Sequence, residues 1–159
     1  MSRRSITSLA VAVATLSLVA STASPAAPKS QTISVLAVGT WFMELDTTEA
    51  TPTKVGDRFA FGGGLYAWAG RTRGARVGRF EVFSTRTAPN TNSSVATLTL
   101  PGGRLFVVGA SPEVGPRGPE ELAVVGGTKD YAGARGIVTV RDLGREDSNK
   151  SALTVSLRS

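Results

Sequence analysis

Alternation of apolar and polar residues dominates the chain from residue 31 onward. Short runs rich in valine, threonine and aromatic residues are separated by clusters of glycine, proline, asparagine and serine, a pattern typical of strands joined by turns. No segment there sustains the 3.6-residue period of an amphipathic helix. Eight strands are predicted, at residues 32–45, 57–68, 74–85, 94–100, 104–109, 122–125, 137–141 and 152–157.

Eight strands of this kind can close on themselves into a barrel, which removes exposed strand edges. Its interior is wide enough for side chains or for one small ligand. The predicted fold class is therefore all-β, a single eight-stranded antiparallel barrel over residues 32–159. Residues 24–31 are predicted to be a flexible lead-in, and residues 111–121 a loop. Three glycines at 62–64 mark a place where the second strand bends sharply.

The first 23 residues have the pattern of an export signal. Arg3 and Arg4 supply positive charge, residues 9–20 form an apolar run, and small residues precede a cut after Ala23. That run has about 12 residues against the ~20 needed to span a bilayer, so an uncleaved anchor is the weaker alternative. Sec and twin-arginine export both remain open. We expect a secreted, extracellular protein that begins near Ser24, with no membrane span in its mature form.

The chain contains no cysteine and no histidine. Without disulfides, the core alone must stabilise the 136 residues that remain when 23 are removed from 159. The absence of histidine excludes Ser-His-Asp and Cys-His nucleophile systems and every histidine-ligated metal. We expect neither a metal nor an organic cofactor.

The net charge is moderately positive. Lysine and arginine number 18 against 12 acidic residues, which gives +6, and loss of the two leader arginines lowers this to +4. Such a charge favours solubility and attraction to anionic surfaces. The densest basic stretch is Arg71, Arg73, Arg76 and Arg79. No aromatic residues alternate with these arginines to stack bases, so we predict a solvated strand face or hairpin tip and no nucleic-acid partner.

The most distinctive segment is the glycine-rich stretch of residues 122–136. It lacks both the G-x-G-x-x-G and the GxxxxGK[ST] patterns, and no helix follows it, so a phosphate loop is not predicted. We predict instead that Gly126 and Gly127 end a strand and that residues 128–132 form a compact turn. Gly133 and Gly136 then let the next strand pass close to its neighbour.

At these residues the chain resembles a known family. Residues 124–136, VVGGTKDYAGARG, are similar to the dirigent segment VVGGTGKFRMARG and to ITGGSGIFEGAYG of plant allene oxide cyclases. Gly56-Asp57, Phe61 and Leu65-Tyr66 follow the cyclase pattern GDLVPFTNKLYD, and residues 77–79 resemble the dirigent VGRAQG. The resemblance implies an eight-stranded antiparallel barrel with an apolar cavity, commonly a trimer in the plant members. A homodimer or a homotrimer is therefore open for this chain.

The resemblance also implies a candidate catalytic residue. A glutamate in the first strand of the cyclases helps open the epoxide, and Glu44 stands at a similar place. Other functional positions of the cyclases fall on Gly63, Ala67 and Phe80, so the plant chemistry is not carried over as a whole.

The strand parity of Glu44 gives it a physical role. It shares that parity with Leu36, Val38 and Phe42, and if their face points inward the carboxyl group lies in an apolar cavity, where it can donate or accept a proton. The alternative is a glutamate on the wet rim of the barrel.

Candidate ligand-binding residues lie on the first two strands: Phe42, Asp57, Phe61, Tyr66 and Trp68. Tyr66 could orient a polar group of a ligand, although tyrosines are also common half-buried in barrels with a wet hydroxyl. The alternative for Asp57 is that it accepts hydrogen bonds from a turn, and for Trp68 that it packs in the core.

Two functions remain open at this stage. The first is an isomerase- or lyase-like barrel that binds an apolar small molecule and steers its cyclisation or coupling by confinement. The second is a non-catalytic secreted barrel that carries a ligand or presents a surface to other molecules. What separates them is whether an acid points into the cavity.

Overall fold

The computed structural model describes residues 30–45, 54–112, 118–143 and 149–158. Each strand pairs antiparallel with the next, and the last pairs with the first, so the sheet closes into a barrel. The predicted fold class is confirmed. The strands are β1 (Ser30–Glu44), β2 (Arg58–Trp68), β3 (Arg73–Ala88), β4 (Thr91–Leu100), β5 (Gly103–Pro112), β6 (Glu120–Gly127), β7 (Arg135–Asp142) and β8 (Lys150–Arg158).

A single 3-10 turn, Lys129–Tyr131, stands between β6 and β7. It falls within the compact turn predicted for residues 128–132. In the described ranges, no helix has the length and apolar character needed to cross a membrane. The predicted leader, residues 1–23, lies outside the described residues.

Several strands extend beyond their predicted ends. β1 already begins at Ser30, opposite Arg158, so the predicted lead-in of residues 24–31 is wrong for its last two residues. β5 continues to Pro112 and β6 begins at Glu120, inside the predicted loop of residues 111–121. The added residues are mostly polar, because the ladder of backbone hydrogen bonds continues past the point where side chains stop packing in the core.

One end of the barrel, here called the closed end, is filled by apolar side chains. It lies where β1, β3, β5 and β7 begin and the other four strands end. Leu65, Leu105 and Val155 are fully buried there. Tyr131 from the 3-10 turn covers them, and its hydroxyl donates a hydrogen bond to the backbone oxygen of Pro101 at 3.0 Å. This packing leaves the opposite half of the barrel as the place for a cavity.

Tyr131 predicts how stability depends on alkaline pH. Burial, and secondarily the charge of Asp130, raise the pKa of Tyr131 above its usual 10.0. The folded state therefore retains the phenolic proton more tightly than the unfolded state, so this contribution is complete below about pH 10 and is lost as pH rises through the raised native pKa. Tyr131→Phe is expected to cost about 1 kcal/mol of stability at pH 7, because the hydrogen bond to Pro101 is lost. It should also abolish the fall in stability that ionisation of Tyr131 causes at alkaline pH. Urea unfolding of both proteins from pH 7 to 11 measures it, and parallel alkaline curves would contradict it.

A β-bulge in β1 sets which side chains face inward. The pairing with β2 shifts between Gly39 and Trp41, which lie opposite Gly63 and Gly62. After the bulge, Trp41 is on the outer face, where its ring lies over Gly62: a β-carbon added at Gly62 would be 2.8 Å from that ring. The glycine at 62 thus provides the space that an aromatic ring occupies on the outside of the sheet.

Candidate functional site

An internal cavity of about 350 Å³ occupies the half of the barrel away from the closed end. Its volume is near the lower limit for small-molecule sites, which hold ~300–1,000 Å³. The walls come from the inward rows of all eight strands or their immediate flanks, and most of them are apolar. The apolar wall residues are Ala37, Phe61, Phe80, Val82, Ala96, Leu98, Val107, Leu122, Val138, Val140 and Leu153.

Polar side chains line the cavity toward its mouth, where β5 and β7 end and β4, β6 and β8 begin. They are Asn92, Ser94, Ser111, Glu120, Asp142, Asn149 and Ser151. The amide of Asn149 donates a hydrogen bond to the backbone oxygen of Gly39 at 3.3 Å, and the Ser151 hydroxyl donates one to Asp142 at 3.0 Å. The buried Oδ1 of Asn92 accepts none from the described residues. The cavity therefore has an apolar floor and a polar entrance.

Two carboxylates in the cavity wall, Glu120 and Asp142, are functional candidates that sequence reasoning missed. They lie on the neighbouring strands β6 and β7, where Glu120 is opposite Val140, two residues before Asp142. Both make further interactions within the protein. The alternation along each strand could have identified them. Glu120 is on the same inward face of β6 as Leu122 and Val124, and Asp142 is on the same inward face of β7 as Val138 and Val140.

A buried arginine lies on the inward row of β3, beyond the cavity-lining Val82. Arg86 is only 4% exposed and donates a hydrogen bond from Nη1 to the backbone oxygen of Pro89 at 2.9 Å. Ser84 on the same row is 1% exposed, and its hydroxyl is 2.8 Å from that of Ser94. Arg86 brings a positive charge to the half of the barrel that holds Glu120 and Asp142. Burial of such a charge is costly unless other groups compensate it.

Four phenylalanines form a row from the rim to the buried wall of the cavity. The ring centres of Phe42 and Phe59 are 5.8 Å apart, those of Phe59 and Phe61 6.3 Å, and those of Phe61 and Phe80 6.4 Å. Phe42 is 62% exposed at the rim, whereas Phe80 is buried. Since aromatic rings stack favourably at such spacings, the row offers a continuous surface for a flat apolar molecule.

The predicted catalytic residue Glu44 lies at the exposed end of β1, outside the set of cavity-lining residues. The expectation that it shares a face with Leu36 and Val38 is wrong, because the bulge near Thr40 changes the parity of the strand. Leu36 and Val38 are on the outer face, while Glu44 comes opposite Phe59, on the row that leads to the cavity. A catalytic role for Glu44 stays a prediction.

Of the predicted ligand-binding residues, Phe61 lies in the cavity wall and Phe42 at the rim. Asp57 accepts a hydrogen bond from the backbone N–H of Lys54, as expected for a turn. Tyr66 lies over Gly64 on the outer face, with the guanidinium of Arg73 at 4.8 Å from its ring centre, and Trp68 is half-buried opposite Arg73. Ligand binding by these five residues stays a prediction, and the structure brings one of them to the cavity wall.

Comparison with known proteins finds similarity in structure alone. No family model and no curated protein matches the chain by sequence. A pyocyanin demethylase superposes with a TM-score of 0.63 at 23% identity, over 80% of this chain and 99% of its own. The pterocarpan synthase dirigent protein PsPTS1 gives 0.61 at 15% identity, over 82% and 93% of the two chains. AbnU, an exo-specific intermolecular Diels-Alderase, gives 0.60 at 14% identity, over 82% and 99%.

These similarities establish the fold. The chain has the barrel of dirigent proteins and of a Diels-Alderase, as its resemblance to the dirigent and cyclase segments predicted. The alignments with these three structures extend over nearly the whole length of the solved chains.

Proposed function

We propose that the barrel binds a small, flat, largely apolar molecule in its cavity and steers its cyclisation or coupling. The observation that carries this proposal is the cavity itself, with an apolar floor, a polar mouth and a row of phenylalanine rings leading inward. Proteins with the same fold include a Diels-Alderase, a pterocarpan synthase and a demethylase, which supports chemistry in a barrel of this shape.

Confinement is the main catalytic contribution available to such a site. Holding a flexible molecule in one reactive geometry lowers the barrier without a nucleophile, which suits a chain with no histidine and no cysteine. Glu120 and Asp142 at the mouth supply acceptors for a hydroxyl or amine of the ligand and are placed to transfer a proton. Glu44, at the rim beyond Phe59, is a third carboxylate for this role.

A non-catalytic carrier is the second candidate function. The hydrogen bond between Ser151 and Asp142 favours it, because a carboxylate that already has a partner within the protein does not need a substrate to satisfy it. A carrier releases its ligand unchanged, whereas an enzyme releases a product. Mass spectrometry of a ligand extracted after incubation distinguishes the two.

Filling the cavity tests whether it binds a ligand. Ala96 is a buried wall residue of β4, and Ala96→Phe is expected to lower the affinity for the neutral fluorophore N-phenyl-1-naphthylamine by about tenfold or more, because the new ring occupies the ligand's space. The matched control is Ala123→Phe, which adds the same ring on the exposed face of β6 and is expected to change affinity less than about twofold.

Fluorescence titration measures both affinities, and denaturant midpoints show whether each variant is folded. If Ala96→Phe does not fold, Ala96→Leu at the same wall position provides a smaller obstruction. Equal loss in the wall and surface variants, or no binding of the probe by the unmodified protein, would contradict the cavity as the binding site.

We also propose that the protein is exported and cut after Ala23, on the strength of the leader sequence. Protein recovered from the medium is expected to begin near Ser24. Intact-mass measurement or N-terminal sequencing tests this. Full-length protein retained in the cytoplasm would contradict it.

A further inference from the structure

The basic residues of the chain are unevenly distributed over the barrel. At the closed end and on the adjacent outer surface stand eight exposed ones, here called the basic end: Arg71, Arg73, Arg76, Arg79, Arg104, Lys129, Arg135 and Arg158. The only described carboxylates among them are Glu81 and Asp130. Around the mouth, described basic and acidic residues are equal in number, five of each. All of the net positive charge of the described residues is therefore at one end.

The charges of the basic end are mostly uncompensated. Of the eight basic side chains at this end, Arg79 alone has an ion-pair partner among the described residues, Glu81 at 3.6 Å, and both side chains are more than half exposed. Arg135 and Arg158 lie directly opposite each other on β7 and β8. Directly opposed residues have β-carbons about 4.5–5.5 Å apart, and like charges there destabilise the sheet. An anion bound over this pair would relieve the repulsion.

The arrangement of the basic end favours a flat partner. Its charges come from the β2–β3 connection, from β3, β5 and β7, from the 3-10 turn and from the end of β8. They are spread over an entire end of the barrel and do not converge on one pocket. Trp68 is half-buried beside Arg73, and indole rings of this kind favour the headgroup region of a bilayer. Base stacking is disfavoured because Arg73 already covers the ring of Tyr66 at 4.8 Å.

We propose that the basic end binds the surface of an anionic phospholipid bilayer. The cavity mouth is at the opposite end of the barrel, so docking in this way holds the mouth away from the lipid and open to solution. The proposal does not depend on what the cavity binds, and it requires no part of the chain to enter the hydrocarbon core.

Vesicle sedimentation with matched variants tests the proposal. The protein purified from its host is expected to bind vesicles of phosphatidylglycerol and phosphatidylcholine but not vesicles of phosphatidylcholine alone. High salt should release it from the anionic vesicles. Each arginine near an anionic surface contributes about fivefold in partitioning, so Arg135→Gln with Arg158→Gln should weaken binding about 25-fold. The control is Lys54→Gln with Arg141→Gln, an equal change of net charge on exposed residues near the mouth, which is expected to leave binding within about twofold.

The two tryptophans of the chain report the orientation. In Trp41→Phe the remaining indole is Trp68 at the basic end, and brominated phosphatidylglycerol should quench it. In Trp68→Phe the remaining Trp41 is on the outer face near the mouth, and its fluorescence should be unchanged.

Three results would overturn the proposal. They are equal loss of binding in the two charge-neutralised double variants, equal quenching of both tryptophans, and binding to soluble polyphosphate or DNA without binding to vesicles. The last result would assign the basic end to a soluble polyanion instead. Denaturant midpoints show that the variants are folded, and the one lacking Arg135 and Arg158 is expected to be no less stable, since it removes a like-charge pair.

Discussion

Gly136→Val is expected to lower the free energy of unfolding by about 1–3 kcal/mol, the usual range for overpacked sites. A β-carbon at residue 136 would be 2.0 Å from the backbone oxygen of Ser156 and 2.9 Å from its carbonyl carbon. Neither atom is at the end of a flexible side chain, so β7 and β8 must separate to make room. Because β8 also pairs with β1 to close the barrel, separating β7 from β8 should weaken the β1–β8 pairing as well.

A second glycine of the same motif provides the control. A β-carbon at Gly126 would meet nothing nearer than Arg135 Nη1 at 3.7 Å, so Gly126→Ala is expected to be neutral or slightly stabilising. Urea midpoints of both variants measure the difference. An unchanged midpoint for Gly136→Val, with ligand binding selectively lost, would show that the turn is a binding loop and not a structural device.

Leu105→Ala is expected to cost about 2–5 kcal/mol, the usual range for truncating a buried leucine. Leu105 is fully buried at the closed end, opposite Leu98, which lines the cavity. Its removal leaves a void directly under the floor of the cavity, and the β-sheet on either side limits how far the site can collapse. The unfolding free energy in urea measures the cost.

Val95→Ala is the matched control for Leu105→Ala. Val95 is 56% exposed on the outer face of β4, and its truncation is expected to change stability by no more than about 0.5 kcal/mol. A loss of less than about 1 kcal/mol in unfolding free energy for Leu105→Ala would show that the closed end is not tightly packed.

The fold could be predicted because the barrel depends on a periodic property of the sequence. Inward apolar residues alternate with outward polar ones along most strands, as in β4 with Ala96, Leu98 and Leu100. Turn residues separate these runs, and the glycine-rich segment before β7 adds a specific resemblance. The order of pairing then follows, because consecutive antiparallel strands with short connections pair with each other.

The candidate site could be predicted only in part, for two physical reasons. The bulge near Thr40 depends on how β1 fits against β2, and a single extra residue reverses which face every later side chain occupies. The expected parity of Glu44 with Val38 therefore did not hold. The second reason concerns Glu120 and Asp142. Strand ends are predicted from apolar residues, whereas these two acidic residues line a cavity that is open to water.

The aromatic residues show the same limit. Tyr66 and Trp41 lie over glycines on the outside of the sheet. A glycine on a neighbouring strand leaves room for a large ring on the outer face, so hydrophobicity alone does not say which face the ring occupies. Phe61 lines the cavity and lies on a regular stretch of β2 with no bulge of its own, and its role in ligand binding stays a prediction.

The order of the strands around the barrel has a consequence for how the chain folds. Seven of the eight pairings join strands that follow each other in sequence, so these seven can form hairpin by hairpin. The pairing of Ser30 with Arg158 is the exception, because it closes a loop of nearly the whole domain. Closing a loop of that length costs about 4 kcal/mol in chain entropy by the logarithmic estimate. The β1–β8 seam should therefore form last. A circular permutant that joins Arg158 to Ser30 and opens the chain at the β4–β5 turn would make that seam local and move the slow step to the opposite side of the barrel.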